Sequence, residues 1–86
     1  MKFYVYILRS KVKDKYYVGH TNNIIRRLKE HNSGKSKFTK KYMPWELLYY
    51  EEFESQSEAI TKEKYFKTTS GRRLIKKLIS PGSSVG

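Results

Sequence analysis

From Lys2 to Arg9 β-branched and aromatic residues alternate, with Phe3, Val5 and Ile7 on one face of an extended segment and Tyr4, Tyr6 and Leu8 on the other. This pattern predicts a strand. Ser10 to Lys15 is polar and turn-like, and Tyr16 to Thr21 resumes the β pattern. Two runs joined in this way predict an antiparallel hairpin with a loop longer than the tightest kind. One of Thr21, Asn22 and Asn23 then supplies a helix N-cap, because a short polar side chain accepts from the first free backbone N–H groups. The helix runs to about Asn32 and stops at Gly34, with Ile24 and Leu28 as its inward seam and Arg27 and His31 at the seam's edge.

Residues 33 to 43 read as a basic loop with few apolar positions. Pro44 and Trp45 lead into a third strand, Glu46 to Phe53, in which Leu48, Tyr50 and Phe53 compete for the core. Ser55 followed by Glu58 matches a capping box and starts a second helix. On it Ala59, Ile60, Glu63, Phe66 and Lys67 share one face. Gly71 is expected to break or bend the chain, and Arg72 to Ile79 reads as a third helix with Leu74, Ile75, Leu78 and Ile79 inward. Pro81 stops it. The order β-β-α-β-α-α is that of an α+β domain, residues 1–80, with 81–86 as a flexible C-terminal tail.

Composition narrows the function. At 86 residues there is room for one core, and with no cysteine there is neither a disulfide framework nor a thiolate metal site. The longest apolar run, Phe3 to Leu8, is far short of the roughly 18 residues of a membrane span. Arg9 follows it at once, which does not suit a signal peptide. A cytoplasmic protein with no membrane role is expected.

A formal charge of +11 calls for an anionic partner, and nucleic acid is the commonest. The charge is also segregated. Residues 26 to 41 hold seven bases and the single acid Glu30, and residues 62 to 79 hold seven bases and the single acid Glu63. Between them, residues 42 to 61 carry five glutamates and no base before Lys62. Two segments facing a polyanion and one facing away describe a one-sided binding surface.

Glu63 is the most informative position. Its spacing from Ala59, Ile60 and Phe66 points it toward the buried side of its helix, where an ionised carboxylate must be paired or must hold a cation. An ion pair with Lys62, Lys67 or a distant arginine is one reading. A ligand for a hard metal such as Mg²⁺ is the other. Arg27 reaches inward from the first helix, and its guanidinium fork suits a phosphate. His31 reads either as a phosphate donor or proton shuttle, or as a satisfied structural histidine. Tyr4, Tyr6, Tyr16 and Tyr17 crowd the hairpin, mostly as packing. A phenol among cations would have its pKa lowered and could act as a general base. Gly19 leaves room for a backbone or phosphate to come close.

Together, Tyr4-Val5-Tyr6, then Tyr17-Val18-Gly19, then Arg27 and a later helical Glu63 resemble the GIY-YIG endonuclease superfamily over roughly residues 2 to 79. The resemblance is closest to its small standalone bacterial members. It implies a three-stranded antiparallel sheet flanked by helices and metal-dependent hydrolysis of DNA phosphodiester bonds, with branched or flap structures of repair or recombination as the expected substrates. Carried onto this chain, it makes Tyr6, Tyr17, Arg27 and His31 catalytic and Glu63 the ligand of a single Mg²⁺ or Mn²⁺. A second ion would need more clustered carboxylates. Arg26, Lys35, Lys37, Lys40, Lys41, Lys67, Arg72 and Arg73 would bind nucleic acid. His20 is read as a surface residue. A protein partner would supply specificity to a monomer or weak dimer. The rival reading is a nucleic-acid-binding module without turnover, or a basic adaptor of a repair complex.

Overall fold

The computed structural model describes residues 1–35 and 37–79. Its elements in chain order are β1 (Phe3–Ser10), β2 (Tyr16–Thr21), α1 (Ile24–Asn32), α2 (Lys37–Lys40), β3 (Trp45–Phe53), α3 (Gln56–Phe66) and α4 (Thr69–Ile79). The strands form one antiparallel sheet in the order β2-β1-β3. This is the expected α+β architecture, with one single-turn helix, α2, set into the basic loop. The expected tail, 81–86, lies outside the described residues.

β1 is the central strand, and packing covers both of its faces. Val5 and Ile7 join Val18, Phe66 and Ile75 in a core beneath α3 and α4. Tyr6 and Leu8 join Trp45 on the opposite face, where Tyr17, Leu28, Tyr42 and Met43 close over them. Each fully buried aliphatic or aromatic side chain contributes about 1.5–3 kcal/mol over leaving it in water. Burial on both faces thus makes β1 the rigid platform from which the rest of the site is hung.

Local chemistry sets the helix ends. Asn23 caps α1, its side-chain oxygen accepting from the Arg26 N–H at 3.0 Å. Gly34 then takes a left-handed conformation, φ 82°, which an L side chain rarely adopts. Ser55 caps α3 by accepting from the Glu58 N–H. Asn32, at the end of α1, brackets Trp45 at the start of β3. Its Oδ1 accepts from the Trp45 N–H at 2.6 Å and its Nδ2 donates to the Trp45 carbonyl at 3.0 Å.

Four expectations are corrected. Tyr50 does not reach the core; it is 54% exposed, and Tyr49 packs on Phe66 instead. The cause is a register shift, with Ile7 opposite Tyr49 but Leu8 opposite Leu47. That bulge breaks the alternation, so Leu48 and Tyr49 both pack on the α3 side. Gly71 does not break the chain. It is buried inside the first turns of α4, where a Cβ would lie 2.1 Å from the Tyr65 carbonyl oxygen and 2.5 Å from the Phe66 Cα. Glycine is there because α4 starts against the end of α3. Leu74 is 38% exposed, whereas Ile75 is fully buried and Leu78 packs on the same core. The basic loop contributes a fully buried residue, Thr39, from α2.

Candidate active site

The register of the hairpin puts Tyr6 opposite Gly19 and Leu8 opposite Tyr17, so Tyr6, Tyr17 and Gly19 share the face covered by α1. An ideal Cβ on Gly19 would lie 2.6 Å from the Tyr6 hydroxyl oxygen and 3.1 Å from the Tyr17 ring. The close approach expected at Gly19 is therefore that of a neighbouring phenol.

Three groups meet at the Tyr6 hydroxyl. Arg27 Nε donates to Oη at 3.4 Å, and His31 Nε2 lies 3.0 Å away. The other ring nitrogen of His31, Nδ1, is 2.9 Å from Thr39 Oγ1. Oη already accepts from Arg27, so its own proton points to His31 Nε2, and the neutral His31 ring then donates from Nδ1 to Thr39. Trp45 Nε1 donates to the Thr39 carbonyl at 2.8 Å and steadies that end of the chain. Tyr17 stacks obliquely on His31, ring centroids 4.9 Å apart.

Burial governs the protonation states. It pushes the Tyr6 phenol up to about 12, with the hydrogen bond from Arg27 only partly opposing it. The expected lowering of a phenol pKa by nearby cations does not hold at Tyr6, because losing water costs the phenolate more than one arginine returns. Burial, and then the charge of Arg27, holds His31 below its ordinary value, so it is neutral at pH 7. His31 is 1% exposed, and its two ring nitrogens face Tyr6 and Thr39 and not open solvent. Arg27 is raised by its bonds to Tyr6 and then to Glu30, whose Oε1 accepts from Nη1 at 2.8 Å. A guanidinium held on both sides is a fixed positive charge at the mouth of the site.

Glu63 stands on the other side of the β2 edge, on α3. Its Oε1 is 2.5 Å from His20 Nδ1, and its Oε2 accepts from Lys67 Nζ at 2.8 Å. Its side chain is 18% exposed. Burial pushes the carboxyl up, but the bonds from Lys67 and His20 outweigh it and keep the group ionised. The ion-pair expectation is met at Lys67. His20 is not the free surface residue expected. It sits half-buried against Glu63, and it follows Gly19 on the strand face turned toward α3. An open cleft of about 300 Å³ lies beside Arg27 and His20, lined also by Arg26, Asn22 and Gln56.

A hard cation can be held by one carboxylate together with water and substrate phosphate oxygens. Glu63 fits that donor set: it is ionised, partly open, and bound by two side chains, one of them on a flexible lysine stem. Among the described residues no three acidic or histidine side chains cluster as an all-protein cage would require.

The remaining basic positions lie outside this centre. Lys35, Lys37, Lys40, Lys41, Arg72 and Arg73 are exposed, and Arg26 lies on the cleft wall, where Asn22 accepts from its Nη2 at 3.1 Å. Lys67 and Arg72 line a second groove beside Tyr17. Sequence reasoning missed Thr39, which no spacing or pattern singles out among its lysine neighbours. It also missed the pairing of His20, for which the only available signal was strand alternation.

A three-stranded antiparallel sheet with a tyrosine, a glycine and an arginine gathered at one hairpin, and a helical glutamate across its edge, is the frame of a nuclease-type catalytic domain. The chain belongs to the GIY-YIG family, whose catalytic-domain model matches residues 2–77. It is 42% identical over 76 residues to the UPF0213 protein SH2523 of Staphylococcus haemolyticus, covering 87% of this chain and 92% of that one. A UPF0213 protein of Pediococcus pentosaceus is 38% identical, covering 96% and 87%. The solution NMR structure of the UPF0213 protein BH0048 from Bacillus halodurans superposes with a TM-score of 0.55 at 40% identity, covering 93% of this chain and 84% of that one. The family's nucleases are generally metal-dependent. Among the described residues no helix is long and apolar enough to cross a membrane.

Proposed function

We propose that this protein is an endonuclease that hydrolyses DNA phosphodiester bonds, with a preference for branched or flapped structures met in repair or recombination. The observation that carries the reading is the Arg27–Tyr6–His31–Thr39 line of hydrogen bonds facing Glu63 across one strand edge. A purely structural network has no need of a fixed guanidinium on one face of the hairpin and an ionised, partly buried carboxylate on the other.

Glu63 would hold a single Mg²⁺ or Mn²⁺, which supplies Lewis-acid stabilisation of charge at the scissile phosphate. The chain's own residues do the rest. Arg27, fixed by Tyr6 and Glu30, neutralises charge that builds on the non-bridging oxygens. Tyr6 is protonated at neutral pH, so it acts by relay: Oη takes a proton from the attacking water as its own proton passes to His31 Nε2. His31 is neutral and correctly turned to receive it. Tyr17, on the more open side, orients the phosphate. Lys35, Lys37, Lys40, Lys41, Lys67, Arg72 and Arg73 hold the flanking backbone, as +11 of formal charge favours.

The test is cleavage of duplex, single-stranded, flap and four-way-junction DNA, with Mg²⁺, with Mn²⁺ and with chelator, by wild type and Glu63→Ala. Metal-dependent cutting that disappears in Glu63→Ala is expected. Binding without cutting by either chain would favour the module without turnover.

A further inference from the structure

A groove of about 290 Å³ wraps around the outer edge of β2, lined by Tyr16, Tyr17, Phe38, Phe66, Lys67 and Arg72. The notable member is Phe38. It stands on the single-turn helix α2 with 56% of its surface exposed, while its neighbour Thr39 is wholly buried. Its ring lies 5.9 Å from that of Tyr17 and 5.8 Å from that of Tyr42. It thus extends an aromatic row outward from His31 and Tyr17 into open space. Opposite the rings lie two cations, and one of them, Lys67, donates to Glu63 at 2.8 Å. Lys67 thus links the wall of the groove to Glu63 of the candidate active site.

We propose that this groove seats one unpaired nucleobase of the DNA strand, next to the phosphate that is cut, with Phe38 stacking on the base and Arg72 taking the adjoining phosphate. Flat apolar rings beside cations complement a ligand that is planar and aromatic at one end and anionic at the other. The volume is at the small end of ligand pockets, which suits one nucleotide and no more. In a duplex the base faces are already stacked and unavailable, so the seat selects strands in which a base is free. The inference rests on the nuclease reading and assigns its substrate class: DNA with a single-stranded or flapped nucleotide at the cut.

The test is binding, run in chelator so that no cleavage intervenes, using an oligonucleotide carrying 2-aminopurine, alone and fully paired. Wild type should bind the single strand more tightly than the duplex and quench the probe's fluorescence. Phe38→Leu keeps apolar bulk but removes the π face. It should weaken single-strand binding about tenfold or more, lose the quenching, and leave duplex binding unchanged. Phe38→Trp should retain both. Arg72→Gln, at an exposed position that cannot upset the core, should lower single-strand affinity and reduce the salt slope by about one phosphate contact. Unchanged single-strand binding in Phe38→Leu, or equal losses on both probes, would overturn the seat. The cleavage assay reports separately. Cutting with no Phe38 effect removes the seat and leaves the nuclease, whereas Phe38-dependent quenching without cutting removes the nuclease and leaves the seat.

Discussion

Gly19 stands opposite Tyr6 in the β1–β2 ladder, and the space its missing side chain leaves is filled by the Tyr6 hydroxyl, 2.6 Å from where a Cβ would be. The second short motif of the hairpin is thus what makes room for the working end of the first. Gly19→Ala should force the phenol away from His31 and Arg27. We expect a stability loss of about 1–3 kcal/mol by urea denaturation and a larger proportional loss of cleavage. In Gly19→Ala/Tyr6→Phe the contact with the hydroxyl is gone, so the stability losses should be less than additive. Additive losses would mean that the two residues do not meet as described.

Thr39 should matter far more than its place among surface lysines suggests. Thr39→Val keeps the shape but leaves the buried Nδ1 of His31 without a partner, at a cost of about 1–3 kcal/mol. The nitrogen chemical shifts of the His31 ring should also change, because nothing then holds the proton on Nδ1. An unchanged tautomer in Thr39→Val would refute the hydrogen-bonded line.

His31 predicts a direction for acid stability. Burial first, and the Arg27 charge second, hold its pKa below the ordinary 6.5. The unfolded chain therefore takes up a proton near that pH while the folded chain does not. Stability supplied by neutral His31 is whole above about 6.5 and declines as pH falls below it, until the folded site also protonates. Thermal melts from pH 8 to 5 should show this decline in wild type and a flatter profile in His31→Gln.

At Glu63 the carboxylate is expected to serve turnover and not affinity. Glu63→Gln should cut at least a hundredfold more slowly, yet bind DNA in chelator as tightly as wild type or more so, because one negative charge leaves a basic surface. Binding lost in parallel with cutting would assign Glu63 a structural role through its bonds to His20 and Lys67.

Gly71 offers a purely structural test. A methyl group there would meet backbone atoms at 2.1 Å and 2.5 Å, which cannot swing aside as a side chain can. Gly71→Ala should cost more than about 3 kcal/mol and part α4 from α3, with loss of the cooperative unfolding transition. Full stability in Gly71→Ala would show that the two helices meet at a looser angle.

Local rules were enough for much of this molecule. Alternation in residues 2–9 and 16–21 is read directly by a strand, and the caps at Asn23 and Ser55 act within three residues of themselves, so the elements follow from neighbours in the chain. The inward bias of Arg27 and Glu63 is equally local, since helical spacing alone sets the face on which a residue lies. What depends on distant partners could not be read this way. The bulge opposite Ile7 and Leu8 is a property of two strands, and it exchanged Tyr49 for Tyr50 in the core. Gly71 looked like a breaker because its reason is the carbonyl of Tyr65, which only the turn between helices brings near. The phenol of Tyr6 was expected to ionise more easily among cations, yet its pKa is set by how much water the packed sheet excludes. Alternation hints only at the face of His20, and Thr39 and Phe38 have no local pattern that marks their roles. His20 meets Glu63 43 residues away, Thr39 meets His31 8 residues away and Phe38 reaches Tyr17 21 residues away, contacts that exist only once α3 packs on the hairpin and α2 settles against α1 and β2.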